Sequence, residues 1–168
     1  TGTDLLLTVN EDSSHTFVLG DFGFADVDGH TLAAVRIDSL PANGTLMLNG
    51  AALVGATEVS AQDIADGLLS FVPAANAYGA EYASFTFSVK DSSGAFDTAP
   101  NAVMLAVTAV NDAPTAAAVN LATDEDTETT GALAGSDADG DALTYTVLSG
   151  PNQGTLVLTA ATGALRYT

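Results

Sequence analysis

Two short loops in the sequence carry carboxylates on alternate residues, and each pair is followed by a glycine. Asp26 and Asp28 form the first pair, and Asp137 and Asp139 form the second. Calcium takes about six to eight oxygen ligands, and a glycine allows the tight bend that wraps a loop around the ion. The loops are therefore candidate calcium sites. The alternative is an ordinary polar turn, because Asp and Gly dominate turns through their backbone chemistry alone.

A third polar segment lies between the two loops and ends the apolar run at residues 103–110. It reads Asn-Asp-Ala-Pro, with Asn111, Asp112 and Pro114 as its polar and rigid members. Amide and carboxylate oxygens are also calcium ligands by type. A plain linker stiffened by proline is the alternative. The position of the segment between two copies of a repeat favours metal binding.

The two loops occupy matching positions in a repeated sequence. The stretch NEDSSHTFVLGDFGFADVDGHTLAAV at residues 10–35 returns about 110 residues later as DEDTETTGALAGSDADGDALTYTV at residues 124–147. Further on, GLLSFV at residues 67–72 returns as GALRYT at residues 163–168. The second copy therefore corresponds to the first half of the first copy.

The repeat predicts the domain organisation. We expect a complete module at residues 1–112, followed at residues 113–168 by a linker and the first half of a second module. Half a sandwich leaves strand edges unpaired. We therefore expect the second module to be completed by further chain or by a neighbouring molecule.

Alternation of apolar and polar residues, with turn residues between the runs, predicts an all-β fold. Phe85, Phe87 and Val89 are expected to face the core, and Thr86 and Ser88 the solvent, as in an antiparallel sheet with one wet face. The architecture that follows is a two-sheet antiparallel β-sandwich. The predicted strands of the first module are residues 5–9, 17–19, 32–37, 45–48, 68–72, 85–89 and 103–110.

Two local signals add detail to these strands. A helical turn is predicted where Ser60 can cap the segment and Asp63 lies three residues further on. An Asn-Gly turn at Asn43 and Gly44 is predicted to connect two strands as a hairpin.

The composition limits the partners. Against 21 acidic residues stand only Arg36, Lys90 and Arg166, and the formal net charge is -18. Nucleic acids and anionic membrane surfaces are therefore excluded as partners, whereas a divalent cation is favoured. The chain has no cysteine, so disulfides do not stabilise it. No apolar run is long enough to predict membrane insertion.

Several ordered motifs resemble the cadherin-like repeats of very large bacterial surface adhesins of the repeats-in-toxin type. They are TVNED, FADVDGHTL, LPANGTL, GLLSFVPAANAYG, FTFSVKDSSG and VTAVNDAPT. The order is also similar, more distantly, to animal cadherin repeats, whose joints bind calcium. The resemblance implies an Ig-like sandwich and bound Ca²⁺. Asn76 departs from it, because it stands where animal cadherins keep an acidic motif.

The resemblance implies a first group of calcium ligands in the first module. Asp26 and Asp28 take the part of the Asp-x-Asp loop, and Asp91 that of an acidic residue at the end of a late strand. These three are expected to converge at one end of the sandwich. His30 stands where the second copy has Asp141.

A second group of ligands is expected at the joint between modules. Glu11, at the end of the first strand, and Asn111 and Asp112 of the linker take the part of the cadherin joint. They are expected to meet Asp137 and Asp139 of the next module. A solvated strand end is the alternative interpretation for Glu11, as it is for the late-strand carboxylate.

The leading hypothesis from these patterns is an extracellular extender segment of a bacterial surface adhesin, stiffened by calcium between neighbouring modules. The alternative is a calcium-dependent module that binds a polysaccharide or another cell's surface, with Tyr78 and Tyr82 lining a groove, or an accessory domain of a secreted carbohydrate-active enzyme. His15 and His30 are assigned surface or turn roles, because no cysteine or second histidine lies at zinc-ligand spacing. No nucleophile elbow, phosphate loop or metalloprotease helix is present, so no catalytic residue is predicted.

Overall fold

The computed structural model describes residues 1–168 and divides the chain into two compact units. Unit 1 is Thr1–Val110 and unit 2 is Asn111–Thr168. The repeat had placed this boundary after residue 112.

Unit 1 consists of two β-sheets, one short α-helix and one 3₁₀ turn. The helix α1 is Ala61–Ala65, and the 3₁₀ turn is Leu19–Phe22. The strands are β1 Leu5–Asn10, β2 His15–Thr16, β3 Leu32–Ile37, β4 Thr45–Leu48, β5 Ala51–Ala52, β6 Thr57–Ser60, β7 Leu69–Val72, β8 Gly79–Asp91 and β9 Asn101–Thr108. The five-stranded sheet has the order β1-β9-β8-β3-β6, and the four-stranded sheet has the order β2-β7-β4-β5. Strand β1 pairs with β9 in parallel, and the other pairs are antiparallel.

The hydrophobic core of unit 1 consists of side chains from both sheets. Phe85, Phe87 and Val89 are buried, as alternation predicted, and Phe87 meets Phe22 edge to face with 5.1 Å between ring centroids. Buried aromatic pairs of this kind stabilise a fold beyond the area that they bury. The predicted all-β antiparallel sandwich is confirmed.

Ser88 is an exception to the predicted alternation. It was expected to face solvent, but it is buried. Its hydroxyl donates to Asp38 Oδ2 at 2.6 Å and lies 3.4 Å from Arg36 Nη2, which donates to it. Long polar side chains from the neighbouring strand cover this serine, and that cover follows from sheet pairing rather than from the sequence around Ser88.

The second predicted strand is misplaced. The extended segment is His15–Thr16, whereas Leu19–Phe22 forms a 3₁₀ turn. Asp21 holds this turn, because its carboxylate accepts the Val18 N–H at 2.9 Å. The turn lets Phe22 enter the core, where it is fully buried. Packing of one aromatic side chain therefore overrides the strand pattern.

The predicted helical turn is confirmed. Ser60 is the N-cap of α1, and its hydroxyl oxygen accepts the Asp63 N–H at 3.0 Å. The cap satisfies one of the amide groups that a helix start leaves unpaired. Ile64 extends from the helix into the core.

The Asn-Gly turn does not form the predicted hairpin. Strand β3 pairs with β6 and β8, whereas β4 pairs with β5 and β7, so the turn crosses from one sheet to the other. Asn43 Nδ2 donates to the Tyr82 carbonyl at 2.9 Å and anchors this crossing. Gly44 has a φ of 72°, and a Cβ there would lie 2.5 Å from the Phe71 ring. The site therefore requires glycine for two independent reasons.

Unit 2 repeats part of this arrangement. Its strands are β10 Thr115–Ala116, β11 Thr129–Ala132, β12 Gly135–Ser136, β13 Leu156–Thr159 and β14 Ala164–Tyr167. The sheet β11-β14-β13 has the same order as β2-β7-β4 of unit 1, and β10 pairs with β12. No strand of unit 2 matches β8 or β9, and none of its hydrophobic side chains is fully buried. Completion of unit 2 by further chain or a neighbouring molecule stays a prediction.

Candidate metal-binding loops

The loop after the 3₁₀ turn of unit 1 is organised by Asp26. Its Oδ1 atom accepts the N–H groups of Asp28 and His30, each at 2.9 Å. Gly29 has a φ of 80°, in the left-handed region that favours glycine. The backbone therefore turns tightly around one oxygen of Asp26. Asp28 contributes its amide to the turn, and its carboxylate lies outside the cluster that Asp26 forms with other side chains.

A second loop of the same kind follows β8. Asp91 Oδ1 accepts the Ser93 hydroxyl at 2.6 Å and the N–H groups of Ser93 and Ala95 at 2.9 Å. The Ser93 hydroxyl and then the Ala95 amide hold the pKa of the Asp91 carboxyl below its ordinary value of 3.8. Asp91 is therefore an anion at neutral pH.

The loop that carries Asp91 is held against the five-stranded sheet by an aromatic ring. The guanidinium carbon of Arg36 lies 4.3 Å from the Phe96 ring centroid, and Lys90 Nζ lies 5.3 Å from it. Asp97 adds a hydrogen bond from its amide to the Val89 carbonyl at 3.0 Å. Cation–π contacts are favourable at these distances. They limit the motion of the segment that positions Asp91.

Sheet pairing brings Asp26 and Asp91 together with His30. Strands β3 and β8 are paired from Leu32 opposite Asp91 onward, so the two loops lie at the same end of the sheet. His30 Nδ1 lies 3.4 Å from Asp26 Oδ1 and 3.7 Å from Asp91 Oδ2. The three candidate ligand atoms lie within 4.8 Å of one another. His30 lies in the turn and is exposed, as its predicted surface or turn role requires, and its spacing from Asp26 across a glycine turn was a signal for the contact with the carboxylates.

Unit 2 contains a loop with the same hydrogen bonds. Asp137 Oδ1 accepts the N–H groups of Asp139 at 3.0 Å and Asp141 at 3.2 Å, and Gly140 has a φ of 79°. The Asp112 N–H donates to Asp139 Oδ2 at 2.6 Å. The structure thus brings Asp112 to the loop that holds the second Asp-x-Asp pair.

An open cleft of about 400 Å³ lies beside this loop of unit 2. Asn111, Asp112, Asp137 and Asp141 contribute to its wall. The Asn111 amide group donates to the Asp112 carbonyl at 2.8 Å, so its side chain is oriented by the linker itself. The chemistry of this set, carboxylate and amide oxygen, fits calcium.

Glu11 lies at the end of β1 in unit 1 and is only 2% exposed. Its Oε1 atom accepts the Val110 N–H at 2.8 Å, and Glu11 belongs to none of the ion pairs of the chain. A buried carboxylate is unfavourable unless hydrogen bonds or a cation compensate for its lost hydration. Beside it, Asp12 Oδ1 accepts the Asn76 N–H at 3.2 Å. Asp12 was not among the predicted ligands, and its hydrogen bond ties the end of β1 to the loop of Asn76.

The residues predicted to form the joint are divided between the two units. Glu11 belongs to unit 1, and Asn111, Asp112, Asp137 and Asp139 belong to unit 2. Their convergence on shared ions across the junction stays a prediction.

The aromatic groove that would favour a polysaccharide-binding module does not form at Tyr78 and Tyr82. Tyr82 belongs to the core, and its hydroxyl accepts the Ala74 N–H at 2.9 Å. Tyr78 alone is exposed. One exposed ring does not make a stacking platform.

The two-sheet sandwich and its acidic end loops define an immunoglobulin-like, all-β repeat module. A family model described as Bacterial Ig domain matches residues 1–103 and again residues 111–168. The chain therefore belongs to the bacterial Ig domain family. No curated protein matches the sequence.

Membership of this family indicates the general class of protein. Bacterial Ig-like domains typically occur in extracellular surface proteins, where they form repeats, and the fold is generally non-catalytic. None of the helices has the length and apolar character needed to cross a membrane.

Proposed function

We propose that this chain is a calcium-stiffened extender segment of a bacterial surface adhesin. In this role, Ig-like modules in tandem hold a terminal binding domain away from the cell, and Ca²⁺ at their acidic ends limits their motion. The observation that carries the proposal is the buried carboxylate of Glu11, which receives one described hydrogen bond and no cationic side chain.

The charge balance supports the proposal. Two carboxylates about 4 Å apart repel by roughly 1 kcal/mol in water and about 4 kcal/mol at an effective dielectric near 20. Unit 2 has one basic residue, Arg166, and it pairs with Glu128 rather than with Asp137 or Asp139. The acids of the loop are therefore gathered without a cationic side chain, and a bound cation would reverse their repulsion.

The loops supply oxygen atoms of the type that calcium binds. In unit 1, one set of calcium ligands would come from Asp26, Asp28 and Asp91. Glu11 would belong to a separate set at the end of β1. In unit 2, Asn111, Asp112, Asp137 and Asp139 would provide the ligands. Modules outside the cell bind Ca²⁺ with dissociation constants on the order of 10⁻⁴ to 10⁻³ M. Ca²⁺ at about ten times that constant would stabilise the bound state by roughly 1.4 kcal/mol per site.

Calorimetric titration with Ca²⁺ tests the binding. We expect Glu11→Gln and Asp137→Asn each to remove a binding event or to weaken it by about tenfold or more. Glu81→Gln is the matched control, because Glu81 is exposed and makes no described hydrogen bond. Equal calcium binding by all of these proteins would contradict the assignment of ligands.

Small-angle scattering tests the mechanical part of the proposal. We expect Ca²⁺ to narrow the distribution of maximum dimensions relative to a sample with chelator, and the Asp137→Asn variant to show no such change. Identical scattering and identical melting temperature of the unaltered chain with calcium and with chelator would contradict the proposed function.

A further inference from the structure

We infer that His30 makes the loop of unit 1 a site for a borderline transition-metal ion, of which Zn²⁺ is the representative. The ligands are His30 Nδ1 and the carboxylates of Asp26 and Asp91, and the site prefers such an ion to Ca²⁺. The inference refines the proposed function and rests on it in one respect, namely that this loop binds a divalent cation.

Two of the three spacings between ligand atoms are close to those around a small ion. His30 Nδ1 lies 3.4 Å from Asp26 Oδ1 and 3.7 Å from Asp91 Oδ2. Both distances are longer than the roughly 2.7 to 3.2 Å of a direct hydrogen bond from nitrogen to oxygen. Zinc binds nitrogen and oxygen at about 2.0 to 2.2 Å, so neighbouring ligands of a tetrahedral shell lie roughly 3.3 to 3.6 Å apart.

The two carboxylates are already oriented for this geometry. The Oδ1 atom of Asp91 is occupied by the Ser93 and Ala95 donors, and its Oδ2 atom is the oxygen that faces His30. Asp26 Oδ1 accepts two backbone amides of its own turn and is also the oxygen that faces His30, so a metal ion would share this atom with those amides. Ligands that are oriented by such outer hydrogen bonds bind a metal more tightly than free side chains.

Solvent reaches the cluster from outside. The His30 side chain is 40% exposed. An ion can therefore reach the three ligands and keep water molecules in its remaining coordination positions. The Asp26 and Asp91 side chains are only 15% and 12% exposed, so an ion would reach them from the side of His30.

The ligand chemistry separates the two matched loops. Imidazole nitrogen suits zinc, copper and nickel, whereas calcium takes oxygen ligands. Unit 2 has Asp141 at the position of His30, and its loop offers oxygen alone. One difference between the copies thus changes the class of ion that the loop selects.

A protonated His30 that pairs with the two carboxylates without any metal is the competing account, and a zinc titration distinguishes the two. We expect the 168-residue chain, at about pH 7.5, to bind Zn²⁺ in calorimetry at least about tenfold more tightly than Ca²⁺. In NMR spectra, substoichiometric Zn²⁺ is expected to shift the imidazole resonances of His30 and to leave those of His15 in place.

Three variants identify the ligands. His30→Asp, which copies unit 2, is expected to lower zinc affinity by about tenfold or more, and Asp91→Asn is expected to lower it as well. His15→Gln is the matched control, since His15 is the only other histidine and lies in another part of the fold, beside Asp21. Circular dichroism checks that each variant is folded.

The outcomes separate the inference from the proposed function. The inference is wrong if the unaltered chain does not bind Zn²⁺, if His30→Asp binds it equally well, or if His15→Gln loses it. Calcium binding without zinc binding overturns the inference alone. Zinc binding that depends on His30, without any calcium binding by the chain, supports the inference and overturns the proposed function.

Discussion

The two units share an acidic loop but differ in the framework that carries it. Asp26 and Asp137 each accept two backbone amides with one carboxylate oxygen, and a glycine with positive φ follows in both. Unit 1 places its loop on a sandwich with a fully buried aromatic core, whereas no hydrophobic side chain of unit 2 is fully buried. The loop geometry is therefore a local property, and it forms without a complete core beneath it.

The two-sheet sandwich of unit 1 brings a further side chain to its acidic loop. In unit 1, strand β8 carries Asp91 to the loop of Asp26 and adds a carboxylate from a distant part of the chain. Unit 2 has no counterpart of β8, and its loop is instead joined by Asp112 of the preceding linker. The further residue at the loop therefore comes from a distant strand in unit 1 and from the preceding linker in unit 2.

The largest difference between the units is expected on removal of a core side chain. Phe87→Ala should lower the free energy of unfolding of unit 1 by about 3 to 5 kcal/mol, because a fully buried ring is replaced by a cavity. Leu165→Ala, at a half-buried position of β14, should have a smaller effect on unit 2. Urea unfolding followed by NMR signals from each unit measures both. Equal losses would contradict the difference in packing.

A matched pair of glycines tests the same difference in packing between the units. Gly44 and Gly154 have φ values of 72° and 75°, and a Cβ at either would lie 2.5 Å from an aromatic side chain. Gly44→Ala should cost about 1 to 3 kcal/mol for the left-handed backbone alone, with a further cost because Phe71 is fully buried. Gly154→Ala should cost less, because the atoms that its Cβ would meet, the Thr168 carbonyl and the Tyr167 hydroxyl, belong to an exposed and a half-buried residue. Thermal unfolding of both variants checks the order.

Calcium removal is expected to act on both units with a moderate effect. At about ten times the dissociation constant, Ca²⁺ should raise the free energy of unfolding by roughly 1.4 kcal/mol per site. Asp137→Asn should abolish the part that belongs to unit 2, and hydrogen exchange of amides at residues 137–141 should then be the same with calcium and with chelator. Protection by calcium that persists in this variant would show that Asp137 is not a ligand.

Variants of the N-cap residue Ser60 test helix α1, which only unit 1 contains. Ser60→Ala should lower the stability of unit 1 by about 1 kcal/mol, because the Asp63 amide loses its acceptor. Ser60→Thr keeps the hydroxyl, which accepts the Asp63 N–H and donates to Asp63 Oδ2, and should restore most of the loss. Amide exchange in unit 2 should be the same in both variants, and a parallel change there would indicate that the units unfold together.

The smallest effect is expected from the titration of Asp91. Its pKa is lower in the folded chain than the ordinary 3.8, so the stability that it contributes is present above that pH and is lost as the pH falls through the folded value. Asp91→Asn should therefore flatten the dependence of the urea midpoint on pH at the acid end, in the presence of chelator. An unchanged slope would show that the hydrogen bonds from Ser93 and Ala95 do not favour the ionised form.

Features that depend only on neighbouring residues could be predicted from the sequence. Strands β3 and β4 have the predicted bounds, and Ser60 caps the predicted helix, because alternation and capping act within a few residues. The acidic loops at Asp26 and Asp137 are of the same kind, since each turn closes on the amides of the next few residues.

Features that depend on sheet pairing follow from the tertiary structure and could not be predicted from the sequence. The tertiary structure placed β1 parallel to β9, separated β3 and β4 into different sheets, and covered Ser88 with Asp38. It also brought His30 to Asp91, which the spacing of histidines along the chain did not indicate. Contacts of this kind are set by the register between distant strands, and each depends on how the whole core packs rather than on any local pattern.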